Sequence, residues 1–165
     1  MSIETIAVLG AGQMGSGIAQ IAAASGYKVI IRDIKQEFCD KGVNGIKAGL
    51  DKQVAKGKTT QEAADAIMAR ISTTVELEGV APADFVIEAA PEILSLKHDT
   101  FVQLGEICKP DAILCTNTSS MSIGEITKDC KNPERCIGMH FFFPVYAMKL
   151  VEMIRSCYTS DATVA

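Results

Sequence analysis

The chain has 165 residues, 48% hydrophobic and 22% charged, with a formal net charge of −4. That is the length of one domain able to bury a sizeable core, and the composition excludes a disordered chain. The acidic balance, with a pI near 5.2, argues against nucleic acid or an anionic membrane as partner. No apolar run reaches the roughly 18 residues that a membrane span needs.

Ile3 to Leu9, with the apolar run from Thr5 onward, reads as a strand, and Gln13 to Ser25 is amphipathic and reads as a helix. Between them lies Gly10-Ala-Gly-Gln-Met-Gly15. A glycine triplet of this spacing is weak evidence alone, but here the strand before it and the helix after it are both present. Gly10 permits the tight turn, Gly12 lets backbone approach a pyrophosphate, and Gly15 lets helix and strand pack closely. The anion then sits on free N–H groups at the positive end of the helix. Gln13 and Met14, inside the loop, are cofactor-contact candidates with the glycines.

Tyr27 to Arg32 is a second β-branched strand, and it ends in Asp33, 18 residues after Gly15. That is close to the spacing of a carboxylate that accepts hydrogen bonds from an adenine ribose, and its charge favours NAD over NADP. Arg32 runs against this, since a neighbouring Arg can serve a 2′-phosphate.

Phe38, Val43, Ile46, Leu50 and Val54 recur at helical spacing from Gln36 to Lys56. Gly57 breaks that helix, and Thr59-Thr60-Gln-Glu62 opens another to about Arg70. The pattern predicts a helical hairpin over about 36–70, standing away from the sheet. Its lysines at 47, 52, 56 and 58 form a solvated face, with contact to a phosphorylated ligand such as coenzyme A as the functional alternative.

Strands are then predicted at Ile71–Val75, Phe85–Glu88, Ala112–Thr116, Arg135–His140 and Lys149–Ile154, with helices at about Leu94–Cys108 and Ser122–Thr127. Strands alternating with helices predict a doubly wound, mainly parallel α/β sheet of the Rossmann type with right-handed crossovers. Ligands of such sheets bind beyond the carboxyl ends of the strands. Glu92, Lys97, Asn117, Ser119, Ser120 and His140 all fall there.

Glu152 interrupts an otherwise apolar strand, so it is expected to be buried and to need a partner. His140 is the partner available. A histidine oriented by a carboxylate is the arrangement of a general base, and a purely structural His–Glu pair is the alternative. His98, beside Lys97 on a predicted helix, reads as exposed and inert. The six cysteines show no CxxC and no metal spacing, which fits reduced thiols in a cytoplasmic protein without a bound metal. The N-terminus has no basic region and no cleavage site, so no signal peptide is expected.

Taken together, Val8–Ala19, Ile87–Glu92, Thr116–Ile123, Pro133–Arg135, Gly138–Phe142 and Met148–Arg155 resemble the N-terminal domain of 3-hydroxyacyl-CoA dehydrogenases, 3-hydroxybutyryl-CoA dehydrogenases included. The resemblance covers nearly the whole chain. It implies NAD-dependent, reversible oxidation of the 3-hydroxyl of a 3-hydroxyacyl-CoA. His140 is then the base, Glu152 its orienting carboxylate, and Ser119 a hydrogen-bond partner of the substrate oxygen. Glu92 and Lys97 match residues that contact the nicotinamide half of the cofactor, and Asn117 matches the Asn of the same loop. Lys56 and Phe143 are placed with Ser119 as substrate contacts.

Three positions depart from the family pattern. Phe143 stands where the family has Asn, Tyr146 where it has Pro, and Gly49 where a CoA-contacting Ser is frequent. The family also continues into an all-helical domain that closes the site and forms a homodimer. Residues 1–155 are read as the NAD-binding domain and 156–165 as the start of the connection. On that reading the chain is a truncated form with weak or no activity, an apolar face and a tendency to self-associate. A non-catalytic NAD-binding module is the competing interpretation. A β-hydroxyacid dehydrogenase acting on a non-CoA substrate is a third, disfavoured because those enzymes use a catalytic Lys.

Overall fold

The computed structural model describes residues 2–165. Seven strands form one sheet: β1 (Thr5–Leu9), β2 (Lys28–Arg32), β3 (Ile71–Thr74), β4 (Phe85–Glu88), β5 (Ile113–Thr116), β6 (Cys136–Phe141) and β7 (Val151–Ile154). Their order is β3-β2-β1-β4-β5-β6-β7. All pairings are parallel except β6 with β7. The order reverses between β1 and β4, which is where a doubly wound sheet opens a crevice for a ligand.

The alternation of side chains divides the core in two. Ile6 and Val8 of β1 face the side covered by helices α1 (Gln13–Ala24), α2 (Gln36–Ala55) and α3 (Gln61–Met68). Ala7 and Leu9 face the side covered by α4 (Leu94–Ile107) and α5 (Ile123–Thr127). The central strands are buried on both faces, which explains their continuous apolar runs.

The helical hairpin exists but does not stand away from the sheet. Cys39, Gly42, Ile46 and Leu50 of α2 are buried, and Ile46, Leu50 and Ala64 belong to the α1-side core. A Cβ on Gly42 would come within 2.7 Å of the Ala11 carbonyl oxygen. The inner half of α2 therefore lies directly on the glycine loop, because a glycine allows backbone to approach backbone there.

His98 is not a free surface residue. Its Nε2 lies 2.9 Å from Asp129 Oδ2, tying α4 to the turn after α5, and this carboxylate raises the imidazole above its ordinary value. Residues 156–165 also fold back onto the sheet. Thr159 is buried and donates to the Cys136 carbonyl at 2.7 Å, and Ser160 caps the last helix, α6 (Asp161–Val164).

Candidate active site

The carboxyl ends of β1, β2, β4 and β5 surround a cavity of about 1180 Å³. Its lining includes Gly10, Gly12, Gln13, Met14, Asp33, Glu92 and Asn117. Among the lining residues not foreseen as site residues are Ser16, Gly17, Phe38, Lys41, Val145 and Tyr146. The spacing of Phe38, Lys41, Gly42 and Gly45 along one helix face could have placed Lys41 there, since all four share the cavity wall.

The three glycines behave differently. Gly10 has φ +102°, and a Cβ on it would meet the Ala89 carbonyl oxygen at 2.6 Å. A Cβ on Gly15 would lie 1.8 Å from the Gly10 carbonyl oxygen, so β1 and α1 pack there without room for a side chain. Gly12, at the N-cap of α1, has nothing within 4 Å of its Cβ position and no side-chain cap. Open space at uncapped helix N–H groups is what a pyrophosphate requires, so the loop fits a dinucleotide.

Asp33 Oδ2 accepts the Ala11 N–H at 2.7 Å and Oδ1 accepts the Ile34 N–H at 2.7 Å. The acid thus braces the glycine loop while facing the same cavity. Arg32 also lines the cavity, but its Nε donates to the Val75 carbonyl at 3.2 Å.

Asn117 lines the cavity and joins it to the end of β6. Its Oδ1 accepts the Phe141 N–H at 2.8 Å, one residue beyond His140. His140 and Glu152 are direct register partners across the antiparallel β6–β7 pair, and His140 Nδ1 lies 2.8 Å from Glu152 Oε2. The expectation that Glu152 is buried is wrong. Its side chain is 51% exposed, because β7 is an edge strand. Cross-strand pairing, and not the cost of burial, brings the two groups together. The imidazole stacks at a tilt on Phe142, with ring centroids 4.6 Å apart.

His140, Glu152 and Ser119 lie outside the cavity lining, and Ser119 is exposed on the turn after β5. Lys56, the C-cap of α2, is exposed and also outside it. Ten residues of helix separate it from Ile46, a distance of about 15 Å. Phe143 and Tyr146 do line the cavity and are 58% and 66% exposed. Val145 between them is buried, and its Cβ would lie 2.9 Å from a Cβ on Gly17. That contact seats the loop on α1.

Lys97 does not line the cavity. It is 1% exposed, with Nζ 2.7 Å from Oε1 of Glu88, a residue that reading the sequence passed over. A carboxylate with no solvent access at a strand end requires a counter-charge, and the first turns of α4 supply it. The signal was available: an acid ends the apolar run Phe85-Val-Ile-Glu88.

A parallel doubly wound sheet, a glycine loop capping α1 and an acid after β2 define a dinucleotide-binding domain of the Rossmann type. Residues 5–165 match the family model for the 3-hydroxyacyl-CoA dehydrogenase NAD binding domain. The chain belongs to that family, whose cofactor is NAD. It is 43% identical to 3-hydroxyadipyl-CoA dehydrogenase of Escherichia coli (strain K12), over 99% of this chain and 34% of the relative. It is 48% identical to a probable 3-hydroxybutyryl-CoA dehydrogenase of Deinococcus radiodurans, over 94% of this chain and 56% of that protein. The crystal structure of 3-hydroxybutyryl-CoA dehydrogenase from Escherichia coli K12 superposes with a TM-score of 0.97 at 43% identity, covering 99% of this chain and 35% of that one. The chain thus spans between about a third and just over half of the length of these relatives. Among the described residues, no helix is long and apolar enough to cross a membrane.

Proposed function

We propose that this chain is the cofactor-binding part of an NAD-dependent dehydrogenase that oxidises the 3-hydroxyl of a 3-hydroxyacyl-CoA to the 3-oxo compound, reversibly. The observation that carries the proposal is the His140–Glu152 pair at 2.8 Å, joined through Asn117 to the edge of the cofactor cavity. Glu152 occupies Nδ1, so Nε2 is the nitrogen that takes the proton of the substrate hydroxyl. The carboxylate holds the ring in one orientation. Bound NAD supplies the hydride acceptor. Ser119 assists by hydrogen-bonding the substrate oxygen, and Glu92 orients the nicotinamide half of the cofactor.

Phe143 replaces an amide in the family pattern with an apolar ring, so the wall it forms suits the acyl group and not a polar substituent. Lys41 faces the cavity, while Lys56 serves the CoA moiety only if that moiety runs along α2. The apolar residues exposed on and around β7, such as Leu150, Met153 and Tyr158, form the face on which the family's helical domain sits. A cytoplasmic homodimer assembled through that domain completes the proposal.

The test is NADH formation, followed by absorbance, with 3-hydroxybutyryl-CoA, longer 3-hydroxyacyl-CoAs and the corresponding free hydroxyacids. Turnover confined to the thioesters supports the reading. Turnover of the free acids alone contradicts it.

A second reading, a cofactor-binding module without catalysis, is favoured by Phe143 at the place of the family's active-site amide. On that reading NAD binds and none of these substrates reduces it.

A further inference from the structure

Glu88 and Lys97 are both within 1% of complete burial, and every polar atom of their side chains is engaged. Glu88 Oε1 is 2.7 Å from Lys97 Nζ and accepts the Ala90 N–H at 2.6 Å. Its Oε2 accepts from the Thr116 hydroxyl at 2.7 Å. Lys97 Nζ donates in addition to the Ala90 carbonyl at 3.1 Å and lies 3.5 Å from Glu92 Oε1. The other Glu92 oxygen accepts from the Thr118 hydroxyl at 2.7 Å, and that hydroxyl accepts the Met121 N–H at 3.1 Å.

One lysine is therefore shared between a carboxylate that water does not reach and one whose side chain is 45% exposed and faces the cavity. As a means of holding β4 to α4, such a pair is poor. The cost of desolvating two charges offsets most of their attraction, and an apolar pair of similar volume does as well. An apolar pair cannot, however, fix the direction of a third charged group.

The turn it controls is part of the site. Ala89, Ala90, Pro91 and Glu92 all line the cavity, and Ala89 carries the carbonyl against which Gly10 packs. Glu88 grips this turn at the Ala90 N–H directly and at the Ala90 carbonyl through Lys97.

We propose that Glu88 is a positioning residue of the cofactor site: it holds Lys97 and the 89–92 turn so that the Glu92 carboxylate faces the bound dinucleotide in one orientation. The proposal deepens the reading of this cavity as the NAD site and rests on it. Lys97 is the link in this chain of contacts, set by the acid behind it.

The test is NAD affinity by calorimetry together with thermal melting of the same samples. Glu88→Gln keeps the size and the Ala90 acceptor but removes the charge. It should weaken NAD binding about ten-fold, since small displacements of positioning groups have effects of that order or more. Glu92→Gln should weaken binding to a similar degree without a change in melting temperature. In a Glu92→Gln background, Glu88→Gln should add less than two-fold, because the two act through one contact. Fully additive losses would overturn the proposal.

Glu88→Gln combined with Lys97→Met removes both buried charges. It should recover the melting temperature lost in either single variant while NAD binding stays weak. Recovery of affinity along with stability would show that the pair is merely structural, and so would wild-type affinity in Glu92→Gln. If the unaltered chain does not bind NAD, the cofactor reading itself fails, and the proposal with it.

Discussion

His140 and Glu152 face each other across an antiparallel strand pair at the edge of the sheet, with Nδ1 and Oε2 2.8 Å apart. Twelve residues separate them in sequence, and a loop seated on α1 through Val145 and Gly17 lies between them. The pair is set by strand register, so a one-residue slip of β7 would turn Glu152 to the other face.

The glycine loop gives a contrast between two substitutions. Gly15→Ala should destabilise the fold by about 3 kcal/mol, since its Cβ would lie 1.8 Å from backbone that cannot move aside. Gly12→Ser should leave stability within about 0.5 kcal/mol, because Ser is a favourable N-cap and the space around it is open. Its NAD affinity should nonetheless fall at least about ten-fold as the side chain enters the pyrophosphate space. Urea unfolding and NAD titration of both variants check this.

Asp33→Ala should raise the Kd for NAD about ten-fold or more. It removes both the brace on the Ala11 N–H and the ribose acceptor. The preference for NAD over NADP should narrow in the same variant, mainly through lost NAD affinity. Titration with the two cofactors reads both effects.

The glycine loop and Asp33 were legible from sequence because each is local: a turn that needs glycine, and an acid at a fixed distance along a βαβ unit. The β4 and β5 strands were legible as unbroken apolar runs, because both of their faces are covered. The position of β7 was not. Leu150-Val-Glu-Met-Ile154 reads as a buried strand, yet Leu150, Met153 and Ile154 are exposed, since the strand lies at the edge of the sheet. The same dependence on tertiary neighbours hid the role of Glu88, whose partner Lys97 lies nine residues further on, on another element.

At the opposite end of the sheet, Asp84 accepts from Lys109 at 2.6 Å and from the Glu4 and Thr5 N–H groups at 2.9 and 3.0 Å. The Lys109 ammonium, with those two amides, holds its carboxyl down at about 2. A lowered pKa contributes stability that is present above the ordinary carboxylate range and is lost as pH falls from about 4 toward 2. Lys109→Met should cost about 1 kcal/mol at pH 7, discounted for the exposed lysine. The gap between variant and wild type should close as pH approaches 2. Urea unfolding at a series of pH values measures it.

Of the six cysteines, Cys157 is exposed and the other five are buried. Burial pushes the Cys108 thiol up to about 11 and raises Cys115 as well. Ellman's reagent should therefore label one thiol rapidly in the native chain and all six after denaturation. The Cys157→Ser variant should lose the rapid phase.

The central claim is that His140, oriented by Glu152, is the base of a reaction for which the glycine loop holds the cofactor. Its most direct measurement is NADH formation from a 3-hydroxyacyl-CoA by wild type and His140→Ala, with NAD affinity titrated in parallel. The prediction is a loss of turnover of about a hundred-fold or more, with the Kd for NAD within two-fold of wild type. Turnover undiminished in His140→Ala would contradict it.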